Sequence, residues 1–162
     1  WNTGTTAQDA YELGITTSFD QYGAGGAADY IADNTSTPIP YVDVNNGDNS
    51  VAAGDQNLSQ ATIAWDEGAD FETKLEKIIT QKWISLFPDG QEAWSEFRRT
   101  GYPKLFPVVI NNSGGEVNTQ EQIKRIRYVS GEYTQNPGGV DSGISCLGGA
   151  DSAGAPLWWD VD

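Results

Sequence analysis

The sequence predicts a mainly α-helical domain with long loops, and three observations support this fold class. Apolar residues recur at the helical period in two segments, the stronger of which runs from Phe71 to Gly101. The chain contains 19 glycines and 7 prolines, an above-average share that favours loops. Residues 34–57 show neither a helical nor a strand period, so we expect a long irregular connection there.

The N-terminal segment 5–21 is predicted to form a helix that ends at Gly23. One face of this helix carries the residues that follow the 3.6-residue period: Ala7, Ala10, Tyr11, Gly14, Ile15, Ser18 and Phe19. A short helix over residues 27–32 is expected next, with Tyr30 and Ile31 facing inward.

The irregular segment 34–57 contains DVNNGDNS, residues 43–50, which invites comparison with a calcium loop. Gly47 stands one place too early for the EF-hand turn, and no glutamate occupies the twelfth position. An asparagine–glycine turn is therefore favoured over a calcium site. We expect the long segment to be a functional loop or to lie on protein outside this chain. Residues 58–65 fit either a short helix or a strand.

The helical pair between Phe71 and Gly101 is predicted to be the centre of the fold. The first helix carries one apolar stripe: Leu75, Ile78, Ile79, Trp83, Leu86 and Phe87. Pro88 ends this helix, Asp70 supports its start, and Asp89 with Glu92 predicts a capping box for the second helix. The predicted structural core of the pair is Trp83, Trp94 and Phe97.

The net charge of −14 is unevenly distributed along the chain. Residues 1–73 hold twelve acidic residues and no basic one, residues 74–127 hold nine basic and six acidic residues, and residues 128–162 hold five acidic residues. An acidic chain of this kind repels phosphate groups, so nucleic acid and anionic membrane surfaces are poor partners. Neutral ligands remain compatible with it.

The residues needed for common catalytic sites are scarce. With no histidine and a single cysteine, Cys146, the chain offers no Ser–His, Cys–His or histidine–metal arrangement. Neighbouring acids such as Asp66 and Glu67 point in different directions on a helix or a strand, so they seldom form a hydrolase pair. We therefore expect no catalytic residues, no metal site, no cofactor and no enzyme activity.

Four stretches resemble one known family. Residues 79–107, ITQKWISLFPDGQEAWSEFRRTGYPKLFP, resemble a signature of the SusD/RagB-like nutrient-binding lipoproteins. These proteins are cell-surface partners of outer-membrane importers in Bacteroidetes-type bacteria. Residues 10–31 and 125–137 resemble two further family segments, although Arg127 and Val129 replace two prolines of an extended stretch. LGGADSAGAPLWWD, residues 147–160, resembles the closing segment of the family.

This resemblance implies a fold, a place in a larger protein and a function. Residues 1–162 are expected to be a single C-terminal segment of a SusD-like, tetratricopeptide-like helical fold with long loops, not stable alone. The implied function is non-catalytic binding of an oligosaccharide for delivery to a SusC-like TonB-dependent transporter at the outer membrane. The N-terminal lipid anchor that the resemblance implies is expected to lie outside this chain. A peptide-binding RagB-like protein and a glycoside hydrolase accessory domain are the alternatives.

A neutral glycan is usually held by aromatic rings stacked on sugar faces. Three aromatic residues near the loops are least explained by helix packing, and they are the candidate ligand-binding residues: Tyr30, Tyr41 and Trp65. Arg98 and Arg99 could also bind a ligand through their guanidinium groups. Because Glu92 and Glu96 share their helix, internal pairing or contacts to the carbonyl groups at the C-terminus of that helix are the preferred interpretation.

Overall fold

The computed structural model describes residues 4–160, and its architecture is helical. Six α-helices follow one another: α1 (Ala7–Tyr22), α2 (Ala27–Ile31), α3 (Phe71–Ser85), α4 (Gly90–Thr100), α5 (Ser130–Gln135) and α6 (Pro137–Leu147). Between residues 4 and 160 no β-ladder forms, and only two isolated bridges join Tyr41 to Val51 and Asn118 to Gln122. The prediction of a mainly α fold with long loops is confirmed.

The helix ends follow the local signals of the sequence. The Thr6 and Asp9 side chains form a reciprocal capping box at the start of α1, which ends at Gly23 in the left-handed conformation. The Asp70 carboxylate accepts the Thr73 N–H at the start of α3. The Asp89 carboxylate likewise accepts the N–H of Glu92 at the start of α4. Predicted and observed ends agree within two residues for these three helices.

The helices pack in sequence order. Helix α1 contacts α2 and α3, α3 contacts α4, and α5 contacts α6. The buried apolar side chains are Tyr11, Ile15, Val51, Leu58, Ile79, Ala93, Phe97 and Val140. Since Val51 and Leu58 come from irregular segments, the loops contribute to the core as well as the helices.

Residues 58–65 form neither of the two predicted elements, and the prediction of a helix or strand there is wrong. This segment is irregular but held tightly, because the buried Lys77 ammonium on α3 donates to the carbonyls of Thr62 and Ala64. Its burial lowers the pKa of Lys77. The Ala64 N–H donates to the Asp33 carbonyl at 2.8 Å. Such distant partners satisfy the backbone in place of a regular ladder.

The predicted apolar stripe of α3 is only partly covered by the described residues. Ile79 is buried, but Ile78 is 37% exposed and Phe87 is 73% exposed. The predicted core residue Phe97 is buried on α4, whereas Trp83 and Trp94 are half-buried. The two tryptophans therefore lie at the margin of the helical pair rather than at its centre.

Helices α5 and α6 were not predicted from the sequence. Three glycines within α6 disfavour a helix, which hides it from pattern analysis. The Asn136 side chain caps α6 by accepting the Gly139 N–H, and Pro137 occupies its first turn. A side chain at Gly143 would require the Tyr128 hydroxyl to move, because a Cβ there would meet it.

Residues 150–160, which we call the tail clasp, are held to the preceding segment by buried charges. The Lys124 ammonium lies 3.0 Å from a carboxylate oxygen of Asp160, and these side chains are 3% and 0% exposed. The Asp151 carboxylate pairs with Arg125 and accepts the Tyr128 N–H at 3.0 Å. Because each carboxylate is bonded to a buried cation, the clasp is compatible with low solvent access.

Arg98 joins the tail clasp to α4. Its guanidinium lies 3.7 Å from the Trp94 ring centre and 4.7 Å from that of Trp159, and it donates to the Lys124 carbonyl at 2.8 Å. Burial lowers the pKa of Arg98, which the nearby Asp160 charge partly offsets. Arg99 instead pairs with Glu96 through two nitrogens. Arg99 thus makes the predicted internal pair, whereas Arg98 bonds a carbonyl outside its own helix, which was not predicted.

Candidate functional site

The three predicted ligand-binding residues lie in two separate places. Tyr30 and Trp65 both lie near Tyr11 of α1. The ring centres of Trp65 and Tyr11 are 5.3 Å apart, and Tyr30 lines a pocket together with Tyr11. Tyr41 lies apart from them and packs against Phe106. Tyr11, which sequence analysis did not select, therefore contacts Trp65 and shares a pocket with Tyr30, but Trp65 does not line that pocket.

The first place is the tyrosine pocket, a cavity of about 310 Å³ beside α3. Tyr11 and Tyr30 form one wall, one face of α3 forms another, and segments 36–38 and 59–63 close the sides. An adjoining groove of about 360 Å³ runs between α1, α2 and α3 and shares both tyrosines. Both volumes fall at the lower end of the ~300–1,000 Å³ typical of small-ligand sites.

The two tyrosines and Trp65 are oriented by internal hydrogen bonds. The Tyr11 hydroxyl donates to the Ile63 carbonyl at 2.7 Å, and burial raises the pKa of Tyr11. The Tyr30 hydroxyl donates to Gln81 Oε1 at 3.0 Å. The indole N–H of Trp65 donates to Glu67 at 2.7 Å. The hydrogen-bond donors of these rings are thus used within the protein, while each tyrosine oxygen can still accept a hydrogen bond.

The second place is a loop surface around Tyr41. Its ring centre lies 6.0 Å from that of Phe106, and the two side chains are 43% and 39% exposed. The Asp43 carboxylate fixes the loop by accepting the backbone N–H groups of Asn45 and Asn46 and the side-chain amide of Asn49. These hydrogen bonds, above all the one from Asn49, lower the pKa of Asp43. The Asp43 oxygens therefore stabilise residues 43–49, and Asn46 caps a short 3-10 helix, Gly47–Asn49, where an asparagine–glycine turn was predicted.

A third cavity is more apolar. The tryptophan hollow, of about 470 Å³, lies beside α4 and is lined by Trp83, Gly90, Ala93, Trp94, Phe97, Leu105, Gln122, Ile123 and Ile126. Its polar groups are few, and the Trp94 indole N–H is already donated to the Ile123 carbonyl at 2.9 Å. A sugar would find few hydrogen-bonding partners there, whereas an apolar protein surface would fit.

Six acidic residues have pKa values shifted in the direction opposite to that of a general acid for glycoside cleavage. Every carboxyl group with a resolved shift in residues 4–160 has a lowered pKa: Asp33, Asp43, Glu67, Asp70, Glu96 and Asp151. For Glu67, the hydrogen bond from Trp65 and the charge of Lys74 are the main causes. A general acid for glycoside cleavage needs a raised pKa. Across the same residues, no cluster of three metal-binding side chains occurs.

Residues 1–160 match the model of the SusD-like family, described as Susd and RagB outer membrane lipoprotein. The chain belongs to this family, as its motifs predicted. Members of this family are in general binding proteins rather than enzymes. No match was found among curated proteins. No helix among residues 4–160 is long and apolar enough to span a membrane.

Solved structures resemble the chain throughout its length. A chitin-binding SusD homologue from Flavobacterium johnsoniae is 55% identical, with a TM-score of 0.89 over 100% of this chain and 33% of that one. A SusD homologue from Bacteroides uniformis ATCC 8492 is 44% identical, with a TM-score of 0.89 and the same coverage. A SusD-like protein from Bacteroides thetaiotaomicron VPI-5482 is 40% identical, with a TM-score of 0.87 over 100% and 33%. The chain thus spans about a third of these structures.

Sequence analysis missed several residues of these sites. Tyr11 was placed on the inward face of a helix but not considered for ligand contact, and Phe106 was noted only within a motif. Thr80 and Gln81 flank the tyrosine pocket from α3. The spacing of Lys77, Thr80, Gln81 and Ile84 is a helical face, which was the one available signal for this wall.

Proposed function

We propose that the chain is part of a non-catalytic cell-surface protein that binds an oligosaccharide and delivers it to a SusC-like TonB-dependent transporter. The observation that carries this proposal is 55% identity, over the whole chain, to a chitin-binding homologue. The aromatic residues of the tyrosine pocket and the Tyr41 surface support the same ligand class, since flat rings stack on the apolar faces of sugars.

The charge distribution supports a neutral ligand. Residues 1–73 contain no basic side chain, and both candidate ligand surfaces draw most of their residues from this part. An anionic ligand would meet a field of like charge there. A neutral oligosaccharide avoids this repulsion.

We propose further that the chain functions as one segment of a longer protein. Its solved relatives are about three times as long. The open tryptophan hollow and the exposed Phe87 on the linker after α3 are apolar surfaces that the rest of such a protein would cover. The lipid anchor at the outer membrane would belong to that longer protein.

The proposal is tested with the full-length parent protein in a panel of neutral glycans and peptides, measured by calorimetry. We expect binding to glycans, with chito-oligosaccharides among the ligands, and no shortened products on prolonged incubation. Selective binding of peptides would instead support the RagB-like alternative. Cleavage of a bound glycan, abolished by substituting Asp66 and Glu67 together, would establish a hydrolase.

A further inference from the structure

We propose that Asn46 is a site of spontaneous deamidation, at which the chain converts its own asparagine to aspartate and isoaspartate. Asn46 is followed by Gly47, and both residues are exposed in an irregular loop. Glycine has no side chain, so its backbone nitrogen can approach the side chain of the preceding residue closely. The proposal concerns the loop that carries Tyr41 and does not depend on what the protein binds.

The reaction requires only this dipeptide and water. The Gly47 backbone nitrogen attacks Cγ of Asn46, a new N–C bond closes a succinimide ring, and the side-chain nitrogen leaves as ammonia with the proton that Gly47 gives up. Water then opens the ring. Opening at the side-chain carbonyl gives aspartate, whereas opening at the backbone carbonyl gives isoaspartate, whose main chain runs through Cβ. One water is consumed, one ammonia is released, and no oxidant or metal is needed.

The attacking nitrogen is not held by a hydrogen bond. Within residues 4–160, the Gly47 N–H donates to no acceptor. The other asparagines of segment 34–57 differ, because the N–H of the residue after each of them is already bonded: Thr35 to Asp33, Asn46 to Asp43, Ser50 to Gly47 and Leu58 to Asp55. A bonded N–H must first lose its partner, which costs free energy. Asn46 is therefore the most reactive asparagine of this segment.

The carbonyl under attack is also prepared by the loop. The Asp48 N–H donates to Asn46 Oδ1 at 3.2 Å, which folds the side chain back over the Gly47 peptide. Negative charge develops on this oxygen when the nitrogen attacks, and a backbone N–H already directed at it stabilises that charge. The loop thus holds the Asn46 side chain beside its nucleophile, with a donor where the charge appears.

Conversion to isoaspartate changes the junction between two loops. The Asn46 carbonyl accepts the Asn49 N–H at 3.0 Å, and the Asn49 side-chain oxygen accepts the Ile110 N–H at 3.2 Å. In isoaspartate the former backbone carbonyl becomes a free carboxylate and the main chain is longer by one atom, so the turn between residues 46 and 49 is lost. The Tyr41 and Phe106 rings lie on the same two loops. Deamidation should therefore loosen the surface that they form.

Tandem mass spectrometry of the full-length parent protein, aged at mildly alkaline pH, tests the inference. We expect aspartate and isoaspartate to accumulate at least about fivefold faster at position 46 than at Asn49, the factor that the loss of one hydrogen bond gives. Gly47→Ala should slow conversion of Asn46 severalfold. The Gly47 φ lies outside the left-handed region and an added Cβ meets no described atom within 4 Å, so this variant introduces no strain.

Gly25→Ala is the matched control, because this glycine is equally open, lies outside the loop and follows no asparagine. It should leave the rate at Asn46 unchanged. An Asn46 that stays intact, converts no faster than Asn49, or converts equally fast in Gly47→Ala overturns the proposal. None of these results depends on glycan binding, so the proposed function stands or falls separately.

Hydrogen exchange tests the effect on the loop junction. After ageing, the Ile110 amide should exchange faster in the wild-type protein than in Gly47→Ala treated in the same way, since only the former gains isoaspartate at position 46. Equal exchange in the two aged proteins, with isoaspartate present in the wild type, would overturn the expected loosening of the Tyr41 surface.

Discussion

The tail clasp and the tryptophan hollow both involve α4, yet the described residues complete only one of them. In the clasp, Lys124 and Asp160 are paired and almost fully buried. In the hollow, Trp83 and Trp94 are half-buried beside an open cavity. A buried charge is costly unless its partner is nearby, whereas exposed apolar surface is removed only by contact with more protein. The ion pairs of the clasp are formed within residues 4–160, although Asp160 Oδ2 has no hydrogen-bond partner there, and we expect the hollow to be covered by the rest of a longer chain.

Separating the chain from its parent protein should have the largest effect. Expressed alone, residues 1–162 should aggregate, bind a hydrophobic dye and exchange amide protons quickly, because the hollow and the exposed α3 side chains lose their cover. Analytical ultracentrifugation and hydrogen exchange, with the full-length protein as the control, measure this. A monomer with one cooperative unfolding transition would contradict it.

Breaking the clasp should have the next largest effect. Asp160→Asn in the full-length protein removes the carboxylate beside buried Lys124 and should lower the free energy of unfolding by ~3–5 kcal/mol. Chemical denaturation measures the change. Asp141→Asn, an exposed position on α6, is the matched control and should have no measurable effect. Equal stability of the two variants would show that the clasp contributes nothing.

Alanine substitution compares the two sides of α4 directly. Phe97→Ala should lower the unfolding free energy by ~3–5 kcal/mol, since Phe97 is already buried by described residues. In the full-length protein, Trp83→Ala and Trp94→Ala should lower the unfolding free energy by as much as Phe97→Ala only if the rest of the chain covers the hollow. A loss below about 1 kcal/mol for Trp83→Ala would mean that its ring stays exposed, and the predicted core would be restricted to Phe97.

The smallest effect should be that of pH near neutrality. With no histidine, ligand binding and stability should change little between about pH 6 and 8. The pKa of Glu96 is lowered, chiefly by its hydrogen bond from Arg99. A lowered pKa in the folded state adds stability above the ordinary glutamate pKa, and this stability is lost as the pH falls through the folded value. Denaturation at several pH values should show this loss in acid, with a weaker dependence in Glu96→Gln.

Local signals account for the parts that were predicted well. Helices α1, α3 and α4 begin and end at capping residues within a few positions of the periodic stretch, so their bounds follow from short segments. Helix α6 was missed because its glycines oppose helix formation locally, although the Asn136 cap and Pro137 in its first turn are local start signals.

The candidate sites were predicted less completely because they depend on distant partners. Tyr30 and Trp65 were chosen for lying near loops, but their common neighbour Tyr11 could be found only once α1 was packed on α3. Tyr41 remains a candidate on a separate surface. Nothing in the sequence indicated that Thr80 would be buried without a hydrogen-bonding partner.

By itself, the sequence determined the helical class, the capped ends of the three principal helices, the internal pairing of Arg99, and membership of the SusD-like family. Only the tertiary structure decided which aromatic residues are exposed and which polar groups meet. The Tyr11 hydroxyl bonds a carbonyl 52 residues away, and Arg98 bonds one 26 residues away. Apolar periodicity and helix capping depend on residues a few positions apart in the sequence. The burial of a charge or a ring depends instead on distant chain segments that only folding brings together.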